Sequence, residues 1–234
     1  MHTLASDKRI DHPVVVACRV VQPELEQVRQ GANHVEIRYI DQGLHRTPKN
    51  MAGLVQEQID QAASYATRIV LAYGLCSNGI VGVTARQQGL IAPRCHDCIG
   101  LLLGSPEAYK KAFEERPGTY YLTPGWVAEK KDPLGIVEND YVPKFGRETA
   151  IWVMEEELKH YTHMALINTG VGDIGLLRRR ALKNAHVFRK EYEEIQGSLD
   201  YFEKIIGGPY SADHFFNLNS GEQITLEMFL EELK

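Results

Sequence analysis

"TRIVLAYGLCSNG", residues 67–79, decides the fold of this chain. Its first half is short, β-branched and continuously apolar, which predicts a strand over 68–74 covered on both faces of a parallel sheet. Its second half abandons that pattern for two glycines, a cysteine and an asparagine, as a strand does where it opens onto a loop. Upstream, "PVVVACRV" (13–20) reads as another strand of the same kind, and "QPELEQVRQ" (22–30) follows it with a proline near a helix start. "HVEIRYIDQGLHRTP" (34–48) predicts a second strand running into a loop. Between 49 and 66, Met51, Leu54, Val55, Ile59, Ala62 and Ala66 recur at helical intervals. Downstream, "NGIVGVTARQQG" (78–89) reads as a short helical or turn element. "LIAPRCHDC" (90–98) is a fourth strand ended by Pro93.

The remainder keeps the alternation. Ser105 and Pro106 form a helix start, N-cap followed by proline. "GTYYLTPGWVAEK" (118–130) predicts a strand end and a Pro-Gly turn, and residues around 127–147 are the least regular, a loop or lid. "RETAIWVMEEELKHY" (147–161) is an amphipathic helix, "THMALINTGVGD" (162–173) a strand with a glycine turn, and the tail alternates strand and helix candidates. Strand and helix patterns in turn predict an α/β fold, with an open, mostly parallel sheet and helices on both faces. Residues 1–12 are expected to be a flexible leader and 13–234 a single domain. There is no convincing sequence repeat, but the glycine turns after "VLAY" and "LINT" could mark two similar halves.

With 234 residues the chain is long enough to bury a core without staples, and 44% apolar with 24% charged residues is ordinary for a globular protein. A formal net charge of −5 gives no reason to expect nucleic acid or an anionic membrane as partner. The one basic cluster, "LLRRRALK" (176–183), reads as a solvated helix face. The N-terminus lacks the apolar core of a signal peptide, and no stretch approaches the roughly 20 apolar residues of a membrane span. The expected location is the cytoplasm, where four cysteines are not a disulfide framework.

Those cysteines carry the chemistry. Cys18 closes the first strand, Cys76 follows the third, and Cys95 and Cys98 follow the fourth. In a parallel sheet the carboxyl ends of the strands share one edge, where ligands bind. Each cysteine alone is an adequate core filler, but all four are aimed at one rim. "CHDC" has the two-residue spacing of a metal-binding or redox pair, and thiolates suit zinc or an iron–sulfur cluster. His96 and Asp97 between them could act as acid–base groups or position a ligand, and Arg94 could orient an anion. Gly74 and Gly79 flank Cys76 and permit a positive-φ turn; with Ser77 and Asn78 they could form a nest of backbone N–H groups. Tyr121 and Trp126, with Tyr120, could wall an organic ligand or simply pack as core. "NTGVGDIG" (168–175) contains a lone G-x-G-x-x-G, in which Asp173 binds a cation or caps a helix, and "HYTH" (160–163) is better read as a surface helix end than as a metal pair.

"VVVACRVVQPELE", "YGLCSNG", "APRCHDCIGLLLGS", "GTYYLTPGW" and "INTGVGDIG" together resemble the domain of unknown function family 1638, over residues 14 to 225. The resemblance implies that Cys18, Cys76, Gly79, His96, Asp97 and Cys98 are the matching positions and that Cys95 is an optional neighbour. It also implies an association with anaerobic one-carbon metabolism and corrinoid methyl transfer. The leading expectation is therefore a three-cysteine metal site, Cys18, Cys76 and Cys98, with Cys95 as an extra ligand. It would hold zinc or an iron–sulfur cluster and act on a small-molecule substrate or metallocofactor. Two others stand beside it. One is metal-free chemistry with Cys76 as nucleophile and His96 as base. The other is a non-catalytic corrinoid or metal accessory protein, partnered with a corrinoid methyl-transfer protein.

Overall fold

The computed structural model describes residues 11–41 and 50–230. Most of the expected leader and the loop after the second strand lie outside the described residues. The described residues form eight strands: β1 Pro13–Cys18, β2 Glu36–Ile40, β3 Arg68–Ala72, β4 Leu90–Pro93, β5 Thr119–Leu122, β6 His163–Asn168, β7 Glu191–Gln196 and β8 Phe215–Leu218. The helices of the first half are α1 Gln22–Val28, α2 Met51–Ala62, α3 Cys98–Leu103 and α4 Pro106–Glu115. Those of the second are α5 Pro124–Ala128, α6 Pro133–Ile136, α7 Val142–Phe145, α8 Arg147–Glu157, α9 Ile174–Val187, α10 Asp200–Gly207 and α11 Glu227–Leu230. None of the described helices is long and apolar enough to cross a membrane.

The α/β class follows from this order, but the strands form two sheets rather than one. The first has five strands in the order β2-β1-β3-β4-β8; the second has three, β5-β6-β7. In the first sheet β2, β1, β3 and β4 run parallel, with Val15 beside Val70 and Val70 beside Ile91, and β8 closes the edge antiparallel to β4. The second sheet is parallel throughout. Every residue of β1 is buried, so both faces of the first sheet are covered at its centre, as its unbroken valines require. α2 packs on β1 and β2, and α10 packs on β3. One core fills the first sheet and its helices, and two smaller apolar clusters lie around the second.

The segment expected to be a loop or lid is helical. Pro133 and Pro143 sit in the first turns of α6 and α7, where a missing N–H costs nothing, and a π-helical turn, Val137–Tyr141, joins the two helices. Leu134, Ile136, Val137 and Tyr141 are buried against Ala150 and Met154 of α8, which makes this stretch part of a core. Pro124-Gly125 likewise starts a helix instead of a turn: Thr123 accepts a hydrogen bond from the Trp126 N–H and caps α5. A Cβ on Gly125 would overlap the Val20 carbonyl, so glycine at this position lets the start of α5 press onto the first half.

The two halves are also joined by buried polar contacts. Glu24 of α1 is fully buried and accepts a 2.9 Å hydrogen bond from the hydroxyl of Thr169, which follows β6. In the second half, the buried Asn184 of α9 accepts from the Leu134 N–H at 2.9 Å and donates to Asp132 at 2.7 Å.

Candidate functional site: a thiol cluster at the floor of an aromatic cleft

Three of the four cysteines converge. Gly74 makes this possible: a Cβ there would lie 2.5 Å from the Cα and carbonyl carbon of Asp97, so the chain after β3 runs directly against the chain after β4. Backbone hydrogen bonds fix the register, Leu75 N–H to the Cys95 carbonyl at 2.8 Å and Cys76 N–H to the His96 carbonyl at 2.9 Å. Cys76 and Cys98 consequently hydrogen-bond through their thiols. Cys18, at the end of β1, lies close enough to both to be coupled to them electrostatically, and its sulfur accepts from the Val20 N–H. The hydroxyl of Tyr73, a residue fully buried after β3, hydrogen-bonds to Cys18 and feels all three sulfurs. None of the cysteines is disulfide-bonded.

Cys18 and Cys98 are held in their neutral forms. Burial pushes the Cys18 thiol up to about 12, with the neighbouring Cys76 adding to the rise. Cys98 is raised well above the ordinary thiol value by its hydrogen bond with Cys76 and by burial. Tyr73 is raised first by burial and then by the sulfurs. Buried thiolates are unfavourable without a compensating cation, and among the described residues no three Cys, His, Asp or Glu side chains stand in a metal-binding arrangement.

The turn after Cys76 is left-handed through three consecutive non-glycine residues, Cys76 (φ +48°), Ser77 (φ +56°) and Asn78 (φ +66°). This corrects the role expected for the flanking glycines. Gly74 and Gly79 do not have positive φ; they are small because Asp97 and Met51 approach them, and the strained conformation falls on the cysteine and its neighbours. Such conformations cost on the order of 1–2 kcal/mol per residue and cluster at functional sites.

Cys76, Ser77, Asp97, Cys98 and Ile99 line one wall of a cavity of about 480 Å³. The opposite wall comes from the other sheet and its surroundings: Thr119, Tyr120 and Tyr121 of β5, Trp126 of α5, and Tyr161. Tyr109 and Phe113 of α4 close one side. The cavity is thus a cleft between the two halves, and Tyr121 and Trp126 are among the residues that line it. The Thr119 hydroxyl is buried and has no hydrogen-bond partner.

The other expected site residues divide. Asp97 caps α3 by accepting from the Ile99 N–H at 2.8 Å and accepts from the Tyr109 hydroxyl at 2.9 Å. Burial raises its carboxyl, and these hydrogen bonds pull against the rise. It therefore positions α3 and Tyr109. His96 lines the cleft, but its Nε2 is buried without a partner, and what it shares with Cys76 is a backbone hydrogen bond, not a contact between imidazole and thiol. Cys95 departs from the trio: its sulfur lies against Gly100, and it lines a second cavity of about 670 Å³ behind α4. Arg94 lines that second cavity as well, its guanidinium 4.1 Å above the Phe216 ring. His96, Tyr109 and Phe113 border both spaces.

The glycine-rich turn after β6 is elsewhere. Gly170 and Gly172 have positive φ, and Asp173 caps α9 by accepting from the Leu176 N–H at 2.9 Å, which fills the end of the helix with a carboxylate rather than a phosphate. The basic cluster is an ion-paired helix face: Arg178 pairs with Glu194, and Arg180 with Asp132 and Glu138. His163 of "HYTH" lies in β6 beside Thr162 and Glu191.

Tyr73, Tyr109, Phe113, Thr119 and Tyr161 were not legible as site residues. Tyr109 and Phe113 do share the four-residue spacing that puts two aromatics on one face of α4. Neither curated proteins nor solved structures include a match to this chain. The match to a family model covers residues 39–206, which takes in Cys76, Cys95, His96, Asp97 and Cys98 and leaves Cys18 outside. As that is more than two-thirds of its length, the chain belongs to the family described as a protein of unknown function, DUF1638.

Proposed function

We propose that Cys18, Cys76 and Cys98 are a soft-metal or iron–sulfur centre at the floor of the cleft, and that the open side of the cleft admits a small organic molecule. The observation that carries this reading is the meeting of three buried thiols from three strand ends. A cysteine nucleophile needs a base or a lowered pKa, and Cys18 and Cys98 are raised instead. Thiols that resist ionisation on their own become ligands when a cation replaces their protons.

The donor set fits such a group chemically: three soft sulfurs, two of them from residues that line the cavity. Cys98 is hydrogen-bonded to Cys76 and Cys18 to Tyr73, so binding would require loss of the thiol protons. Tyr73, hydrogen-bonded to Cys18, would orient that ligand from outside, the usual duty of a second partner. A bound metal would supply Lewis-acid polarisation, and a cluster would supply electron transfer or sulfur binding. The aromatic walls, Tyr121 and Trp126 above all, would hold a flat or apolar ligand against it and exclude water.

The test is anaerobic purification with metal and acid-labile sulfide analysis, followed by titration of the reduced metal-free protein with zinc and cobalt. One thiolate-bound metal per chain is expected. Cys18→Ser, Cys76→Ser and Cys98→Ser should each weaken it by more than the roughly 10–100-fold that loss of an outer partner costs. Cys95→Ser should bind as the unaltered chain does. Reduced protein that takes up neither metal nor cluster would end this reading.

A further inference from the structure

The charge and hydrogen-bonding character of the cleft select what it can hold. Six aromatic side chains line it, Tyr109, Phe113, Tyr120, Tyr121, Trp126 and Tyr161. Among the described residues that line it there is no lysine or arginine, and Asp97 contributes the one carboxylate. A carboxylate or phosphate ligand would enter without a counter-ion and against the negative faces of the rings. A cation meets the opposite balance, since ring faces attract positive charge, most strongly away from water. The polar atoms point the same way. The Tyr109 hydroxyl donates to Asp97 at 2.9 Å, which commits its proton and leaves its oxygen able only to accept. Two further polar atoms are buried in the cleft without a partner, Nε2 of His96 from the first half and Oγ1 of Thr119 from the second. Thr119 is only 6% exposed. An unpaired buried polar atom is costly, and a bound N–H would satisfy either one: the hydroxyl through its lone pairs, the imidazole in the tautomer that carries its proton on Nδ1.

We infer that the cleft binds a small organic ammonium ion with an apolar or aromatic body, its N–H groups directed to Thr119 and its charge held against the aromatic faces. Thr119 and Tyr121 are two residues apart on β5, so both side chains leave the same face of the strand, and one ligand can meet the hydroxyl and the ring together. Tyr120 leaves the opposite face and meets Tyr161 edge-on at 5.3 Å, so the rings that hold the cation are Tyr121, Trp126 and Tyr109. The second cavity lacks this character: Arg94 and Lys110 line it together with Glu107 and Asp213, so it carries both signs of charge. The inference rests on the cleft admitting a small organic molecule, as proposed above, and it is independent of the metal.

Trp126 can report on the cleft by itself, because the other tryptophan, Trp152, is an exposed residue of α8 and can be replaced. The experiment titrates the reduced, metal-free, full-length Trp152→Phe protein in amine-free phosphate buffer with phenethylamine, phenethyl alcohol and phenylacetate, which share a ring and differ in charge. A saturable change in Trp126 emission is expected for phenethylamine, with an affinity above that of the alcohol and roughly tenfold or more above that of phenylacetate. Thr119→Val keeps the shape of the side chain, removes its hydroxyl, and should weaken phenethylamine about tenfold. Tyr121→Leu keeps an apolar wall and should bring phenethylamine down to the affinity of the alcohol. Glu107→Gln combined with Asp213→Asn, in the second cavity, should leave all three affinities unchanged. Phenylacetate binding as tightly as phenethylamine, absence of saturable amine binding, or loss of amine binding in the Glu107→Gln/Asp213→Asn protein would overturn the inference, and the first two outcomes need no change to a lining residue. A chain that takes up zinc but prefers phenylacetate loses only this inference, and one that binds phenethylamine but no metal or cluster loses only the metal centre.

Discussion

Glu24 offers the sharpest test of how the halves are joined. Its carboxyl is fully buried between α1 and Thr169, Oε1 accepts from the Thr169 hydroxyl, and Oε2 has no partner. Burial pushes it up to about 7 from an ordinary value of 4.5, partly offset by its own backbone N–H and by Thr169. Between those values the folded protein holds a proton that the unfolded chain has released. The stabilising effect of that proton is fully present below about pH 4.5 and is lost as pH rises through 7. Unfolding free energy should fall by about 1.4 kcal/mol per pH unit in this window, or about 2.5 kcal/mol from pH 5 to pH 8. Glu24→Gln keeps a carbonyl for Thr169 and cannot ionise. The difference in stability between Glu24→Gln and the unaltered chain should therefore grow by about 2.5 kcal/mol over the same interval, which corresponds to roughly 5–10 °C in Tm for a chain of this size. Urea titrations at several pH values measure it, and all other titrating groups cancel in the subtraction. Parallel profiles, differing by less than about 0.5 kcal/mol in their pH dependence, would refute the reasoning.

Two further outcomes probe the fold around the cleft. Gly74→Ala should destabilise the protein by about 1–3 kcal/mol, because its Cβ meets the Asp97 backbone, and should abolish the Cys76–Cys98 contact; thermal unfolding and thiol reactivity read the two effects. Asn184→Ala should cost about 1–3 kcal/mol in urea unfolding by stranding the Leu134 N–H and part of Asp132, whereas Arg178→Ala, which breaks an exposed pair with Glu194, should change stability by less than about 1 kcal/mol.

What the sequence made legible was whatever local pattern decides. The apolar runs of β1, β3 and β4 announced parallel strands, and parallel strands bring their ends to one rim, so the meeting of Cys18, Cys76 and Cys98 could be anticipated. Spacing alone could not separate Cys95 from Cys98, and only the family resemblance set it aside, since both follow the same strand and the turn into α3 sends their sulfurs to different cavities. The glycines beside Cys76 were legible as special, though not in their reason: close approach by Asp97 is a contact between distant loops. The division into two sheets was equally hidden, because β8 finds β4 across about half of the chain and "FFNL" carries no mark of its direction. The helices from 133 to 145, the first of them buried, were obscured by prolines that break helices in general and begin them here.

The pairing of β8 with β4 has a consequence for synthesis. Pro93 faces Phe215, so the hydrogen-bonding edge of β4 finds its partner only after roughly 120 more residues have been made. Everything that forms the second sheet is spliced into the first before that sheet is complete. During translation the nascent chain carries an open, apolar strand edge, the kind that recruits other strands. The second half must fold while the first is waiting, and shortening the chain before residue 215 would leave that edge permanently open.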